Sequence, residues 1–122
     1  MADAVYADAF EGQSLTMAVS NAMVRLYKEQ FGRGPTKART AFAGPDVLLV
    51  TLENSLTPVE RTLVAMGEHA RLRDTRMFLK YATEHEFRRT IEELTGRHVV
   101  AFVSGIDTRR DVSTEVFYLE PE

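Results

Sequence analysis

Leu15, Ala18, Val19, Ala22, Met23, Leu26 and Tyr27 recur at the i, i+3, i+4, i+7 spacing that lines one side of an α-helix. This stripe constrains the fold more than any other feature of the chain, because a helix with one apolar face must bury that face against another layer. The helix begins at Ser14 and stops at Gly32, where Gly34-Pro35 makes continuation costly. The period then changes. A short strand is predicted around Ala38 to Ala43, followed by a turn at Gly44-Pro45-Asp46. Val47 to Leu52 is a continuous apolar run rich in β-formers, which predicts a central strand. The two strands make a hairpin.

Leu56-Thr57-Pro58-Val59-Glu60 is a helix start. Thr57 can accept from the N3 amide, Glu60 can reach back from N3, and proline at N1 lacks only an N–H that would have no partner there. The short helix is expected to bury Val59, Leu63 and Met66 and to break near Gly67. A long helix is predicted from Ala70 to Thr95, with Leu72, Leu79, Phe87, Ile91 and Leu94 on its core face and Gly96 as its cap. Val99 to Val103 reads as a strand, Gly105 to Asp111 as a polar loop, and Val112 to Leu119 as the last strand. The expectation is an α+β, two-layer sandwich of order α-β-β-α-α-β-β, its four-stranded, mostly antiparallel sheet carrying helices on one face. Helix, Gly-Arg and two strands occur twice in that order, at Gly32-Arg33 and at Gly96-Arg97, which suggests a pseudo-repeat.

At 122 residues the chain is long enough for one domain of this kind. Residues 1–13 read as a loose N-terminal lead-in and residues 14–122 as the domain. Cysteine is absent, so disulfides and thiolate chemistry are excluded. No apolar run approaches the roughly 20 residues that span a bilayer. Asp3, Asp8 and Glu11, without a basic flank, argue against a signal peptide, so a cytoplasmic location is expected. The formal net charge of −3 argues against coating nucleic acid, and no stacking aromatics interleave the basic residues.

Two basic clusters could hold a small anion. Arg33, Lys37 and Arg39 fall within seven residues without an acid among them, and Gly34 lets backbone amides approach a ligand. The same residues also suit a plain capping turn, since the end of the preceding helix is negative. Arg71, Arg73 and Arg76 sit near the start of the long helix, where cations are slightly unfavourable; Arg73 and Arg76 are the candidates there, with screening by Glu68 as the alternative. His69, His85 and His98 show no metal-binding spacing, and no metal or cofactor is expected. Glu53 and Glu60 are carboxylates without a paired acid or nucleophile, so no catalytic residue is assigned. Finally, Met17, Val24 and Phe31 lie opposite the core stripe of the first helix, and Met77, Phe78 and Tyr81 lie opposite that of the long helix. These six residues suggest a homodimer or docking surface; the alternative is a core wrapped more fully, for example by residues 1–12.

Several of these stretches together resemble one bacterial family. They are Leu26-Tyr27 to Phe31-Gly32-Arg33-Gly34-Pro35, Val50 to Glu53, Leu56-Thr57-Pro58-Val59-Glu60 with Leu63, Arg76 with Phe87, Thr95-Gly96-Arg97-His98-Val99-Val100, and Phe117 with Leu119. The chain resembles, over roughly residues 14–120, the MpsC-like family, named for the third component of a sodium-translocating, membrane-potential-generating system. The resemblance implies a soluble partner of a membrane system handling ions or inorganic carbon, and it carries no active site. The function expected is a non-enzymatic accessory or regulatory module acting through dimerisation or through docking on a protein such as a membrane-system partner. The alternative is a sensor for a small anion or nucleotide, using the Gly-Arg-Gly-Pro-Thr-Lys-Ala-Arg segment.

Overall fold

The structure is a computed structural model that describes residues 7–122, with side chains described from Leu15 onward. Helix α1 spans Ala7–Phe31, strands β1 and β2 span Lys37–Phe42 and Val47–Glu53, and helices α2, α3 and α4 span Pro58–Ala65, His69–Ala82 and Glu84–Thr95. Strands β3, Val99–Asp107, and β4, Val112–Leu119, close the chain. Of the segment expected as a lead-in, residues 1–6 lie outside the described residues, and α1 already begins at Ala7.

The α+β fold and the order of helices and strands agree with the sequence reading. The sheet has four strands in the order β1-β2-β4-β3, and each neighbouring pair is antiparallel. The two hairpins meet through their second strands, so β2 is central, as its apolar run predicts. Each hairpin follows a helix ended by a left-handed glycine, Gly32 at φ 83° and Gly96 at φ 71°. Helix, Gly-Arg and hairpin therefore recur as a structural unit, with the β2–β4 pairing between the two copies.

The helices cover one face of the sheet. Leu48, Val50 and Leu52 from β2, Phe117 and Leu119 from β4, and Val99 and Phe102 from β3 point into the core. There they meet Val19, Met23, Leu26 and Tyr27 of α1 and Phe87 and Ile91 of α4. The period of two in the strands and the α1 stripe thus face each other across a single apolar layer. Phe102 stacks between Phe87 and Phe117 at ring-centroid distances of 5.4 and 5.2 Å.

Three expectations are corrected. The stretch read as one long helix is two helices that meet at Thr83. Its hydroxyl bonds back to the Leu79 carbonyl at 2.9 Å and competes with the helical ladder. Leu79 and Leu94, expected in the core, are exposed; α3 instead turns Leu72, Arg76 and Lys80 inward at i, i+4 spacing. Val59 and Met66 of α2 are also exposed, at 72% and 67%, because α2 is held by its cap and by charge rather than by apolar burial.

The capping box at α2 is present as read. The Thr57 side chain accepts from the Glu60 N–H at 3.2 Å, and the Glu60 carboxylate accepts from the Thr57 N–H at 2.8 Å. The same carboxylate receives two bonds from Arg76, at 2.8 and 2.6 Å. Burial alone would raise the Glu60 pKa, but the Arg76 and Thr57 hydrogen bonds and the Arg76 charge outweigh it and hold it below the ordinary carboxylate value. A carboxylate depressed in the folded state stabilises the fold above its unfolded pKa, and that stabilisation is lost as pH falls through the folded value. Glu60→Gln should therefore lose about 3 kcal/mol in urea unfolding at neutral pH, and the gap to the parent should close on acidification. A gap that stays constant with pH would contradict this role.

Candidate functional site

The residues singled out in the sequence do not gather in one place. Lys37 and Arg39 point from β1 to the face of the sheet that the helices leave uncovered, while Ala38 packs on the core and Thr40 bonds Ser20 of α1 at 2.7 Å. Arg33 turns the other way and donates to the Asn54 carbonyl at 3.4 Å. Gly34 lies against α1, where an added Cβ would sit 3.2 Å from both the Val24 carbonyl oxygen and Cγ1. This glycine permits a close helix–loop approach, and its surroundings are protein atoms. Arg73 is exposed on α3, and Arg76 is fully buried with its donors committed to Glu60 and Ser55. Arg76 is thus a core residue and offers nothing to a solvent anion.

The apolar set divides in the same way. Met17 and Phe78 are exposed, at 58% and 71%, on different helices. Val24 and Met77 are half-buried. Phe31 packs on the core, with its ring edge-on to Tyr27 and the Arg76 guanidinium 3.9 Å above it. It is therefore no part of a free surface. Tyr81 is partly exposed, but its hydroxyl accepts from the Ser104 N–H at 2.9 Å and its ring meets Phe102.

Sequence reasoning missed a buried polar cluster beneath α3. Lys80 and Glu115 are fully buried, and the Lys80 ammonium lies 3.1 Å from Glu115 Oε2. Tyr27 donates its hydroxyl proton to the same oxygen. Lys80 also donates to the Gly105 carbonyl at 3.3 Å and lies 5.3 Å from the Tyr27 ring centroid. Burial pushes the Lys80 pKa down, against the pull of Glu115. Burial first, then the Glu115 charge, raises that of Tyr27 well above its ordinary value. Glu115 Oε1 and the hydroxyls of Ser104 and Ser113 find no partner in this layer. The cluster ties α1, α3, β3 and β4 together. The signals for it were the Leu72–Arg76–Lys80 spacing and the alternation Ser113, Glu115, Phe117, Leu119, which puts Glu115 on the core face.

Among the described residues, no helix lies over the opposite face of the sheet. In register across the four strands it carries Ala41, Leu49, Val116 and Val103, and beside that row Val47, Tyr118 and Ala101. Val103 and Tyr118 are 50% and 43% exposed. The far end of the face is charged, with Lys37, Glu53 and Asp107 in one register row around Val112. An antiparallel sheet with one solvated face ordinarily alternates apolar-in with polar-out; here two adjacent register rows of the open face are apolar as well. Among the described residues, no helix is long and apolar enough to cross a membrane.

The chain belongs to the MpsC family: the family model described as "Na+-translocating membrane potential-generating system (MpsC)" matches residues 11–121. No curated protein and no solved structure matches the chain.

Removing one member of the buried Lys80–Glu115 pair leaves the other charged and unpaired, which costs about 3–5 kcal/mol. Lys80→Met and Glu115→Gln should each destabilise by about that amount. The double variant should lose less than the sum, with a coupling of about 2 kcal/mol in denaturant unfolding. Additive losses would contradict a direct pair.

Proposed function

We propose that the protein is a non-enzymatic accessory component of a membrane ion-translocating system, working on the cytoplasmic side by protein contact through the open face of its sheet. The observation that carries this reading is the apolar row Ala41–Leu49–Val116–Val103, which crosses all four strands without a covering layer. Contiguous exposed apolar surface of this kind marks an interaction site. Family membership supplies the membrane system as its setting.

The edges of the sheet disfavour strand addition. Lys37 and Arg39 stud edge strand β1, and a bulge interrupts the register of edge strand β3 at Val100. Association is therefore directed to the face. The first occupant that the face suits is a second copy of the chain. A two-fold axis along the strands lays β1 of one copy over β3 of the other. Ala41 then meets Val103, Leu49 meets Val116, and Lys37 comes over Asp107, so that the surface complements itself in shape and in charge. Two sheets packed face to face in this way keep their strands within about 30° of each other.

Sedimentation velocity over a range of protein concentrations tests the proposal. A monomer–dimer equilibrium is expected, and Val103→Glu should shift it to monomer while leaving the circular dichroism spectrum unchanged. A parent protein that stays monomeric at every concentration would refute self-association. A dimer indifferent to Val103→Glu would place the contact elsewhere.

A further inference from the structure

Away from both the buried cluster and the open sheet face, a cavity of about 260 Å³ opens between α2 and the β3–β4 turn. It is lined by the apolar side chains of Leu56, Val64 and Ala65 and by Arg61, Thr108, Arg109 and Asp111. The two arginines are held differently. Arg61 bonds Asp111 Oδ2 at 3.1 Å, the Asn54 side chain and the Leu56 carbonyl. Asp111 also accepts from the N–H groups of Ser55 and Leu56 at 2.9 and 3.1 Å, through Oδ1 and Oδ2 respectively. That pair is neutral overall, so the Arg61 charge is already compensated.

Arg109 differs. Its Nη2 lies 2.6 Å from Nε2 of His69, the first residue of α3, and among the described residues no carboxylate pairs with it. A ring nitrogen orients the guanidinium without cancelling its charge. The Thr108 hydroxyl, 3.5 Å from the His69 carbonyl, ties the same turn to α3. The result is a positioned arginine fork with one uncompensated positive charge, set over an apolar floor.

We propose that this cavity binds a small aliphatic carboxylate, with its carboxylate on Arg109 and its alkyl chain on Leu56, Val64 and Ala65. The planar guanidinium matches a carboxylate in bidentate geometry. One unbalanced charge suits a monoanion better than a phosphate dianion, and the floor rewards a chain that inorganic ions lack. The site is independent of the docking surface, so either can fail without the other.

The test is a ¹H–¹⁵N NMR titration of the full chain with butyrate, and in parallel with inorganic phosphate and with butanol. Butyrate should move the Val64, Ala65 and Thr108–Asp111 amides saturably, and Arg109→Gln should weaken it at least about tenfold. The exposed position of Arg109 means that the rest of the Arg109→Gln spectrum should match the parent, which separates lost binding from lost folding. Absence of a saturable shift with butyrate, or equal affinity in Arg109→Gln, would overturn the proposal. Phosphate binding as tightly as butyrate would overturn the assignment to a carboxylate with an apolar chain, and so would butanol doing so.

Discussion

A lysine and a glutamate, both without contact to solvent, join α3 to the middle of the sheet, and the remaining elements are arranged around that pair. Placing two charges in a core costs several kcal/mol unless their geometry and their other hydrogen bonds offset the loss of water. Here Tyr27 shares Glu115 Oε2, and the Gly105 carbonyl takes a second donor of Lys80. One turn earlier on the same helix, Arg76 repeats the arrangement with Glu60 and the Ser55 carbonyl. Helix α3 is thus fastened along its inner side by charge, with Leu72 as its buried apolar residue.

This fastening has a consequence for the exterior. A helix whose inner positions are Leu72, Arg76 and Lys80 has to sit where Glu60 and Glu115 point, which is the face shared with α1 and α4. Among the described residues no helix remains for the other face, and none covers its apolar row. The Arg76–Glu60 pair also links the cap of α2 to α3, so the connection after β2 is held by the same charges. Asp111 completes that link by clasping Ser55 and Leu56 from the far end of β4.

How far the sequence disclosed this depends on the kind of interaction. Elements set by local chemistry were legible: the Thr57–Glu60 box, the Gly32 and Gly96 stops, and the apolar run of β2 sit where they were read. The tertiary placement of charge was not legible. Arg76 reads as a surface cation and Glu115 as one acid in a polar-looking strand, because isolated charges belong in water by default. Only the partner supplied by a distant element makes their burial tolerable. Reading residues 70–95 as one helix put Leu79 and Leu94 on a shared core face, whereas the break at Thr83 gives α3 and α4 separate inner faces. The open sheet face went unseen for a related reason. Leu49, Val103 and Val116 look like core residues in any strand, and only the one-sided helix layer shows that no described helix packs on them.

We propose that the protein meets its partner, beginning with a second copy of itself, at this apolar sheet face. The chain has no cysteine, so a single introduced thiol reports on one place. The decisive measurement is the rate at which Val103→Cys reacts with a thiol reagent as protein concentration rises, beside Arg89→Cys on the exposed side of α4. The rate at position 103 should fall with concentration while that at position 89 stays constant. A rate at position 103 that is the same at every concentration would contradict the claim.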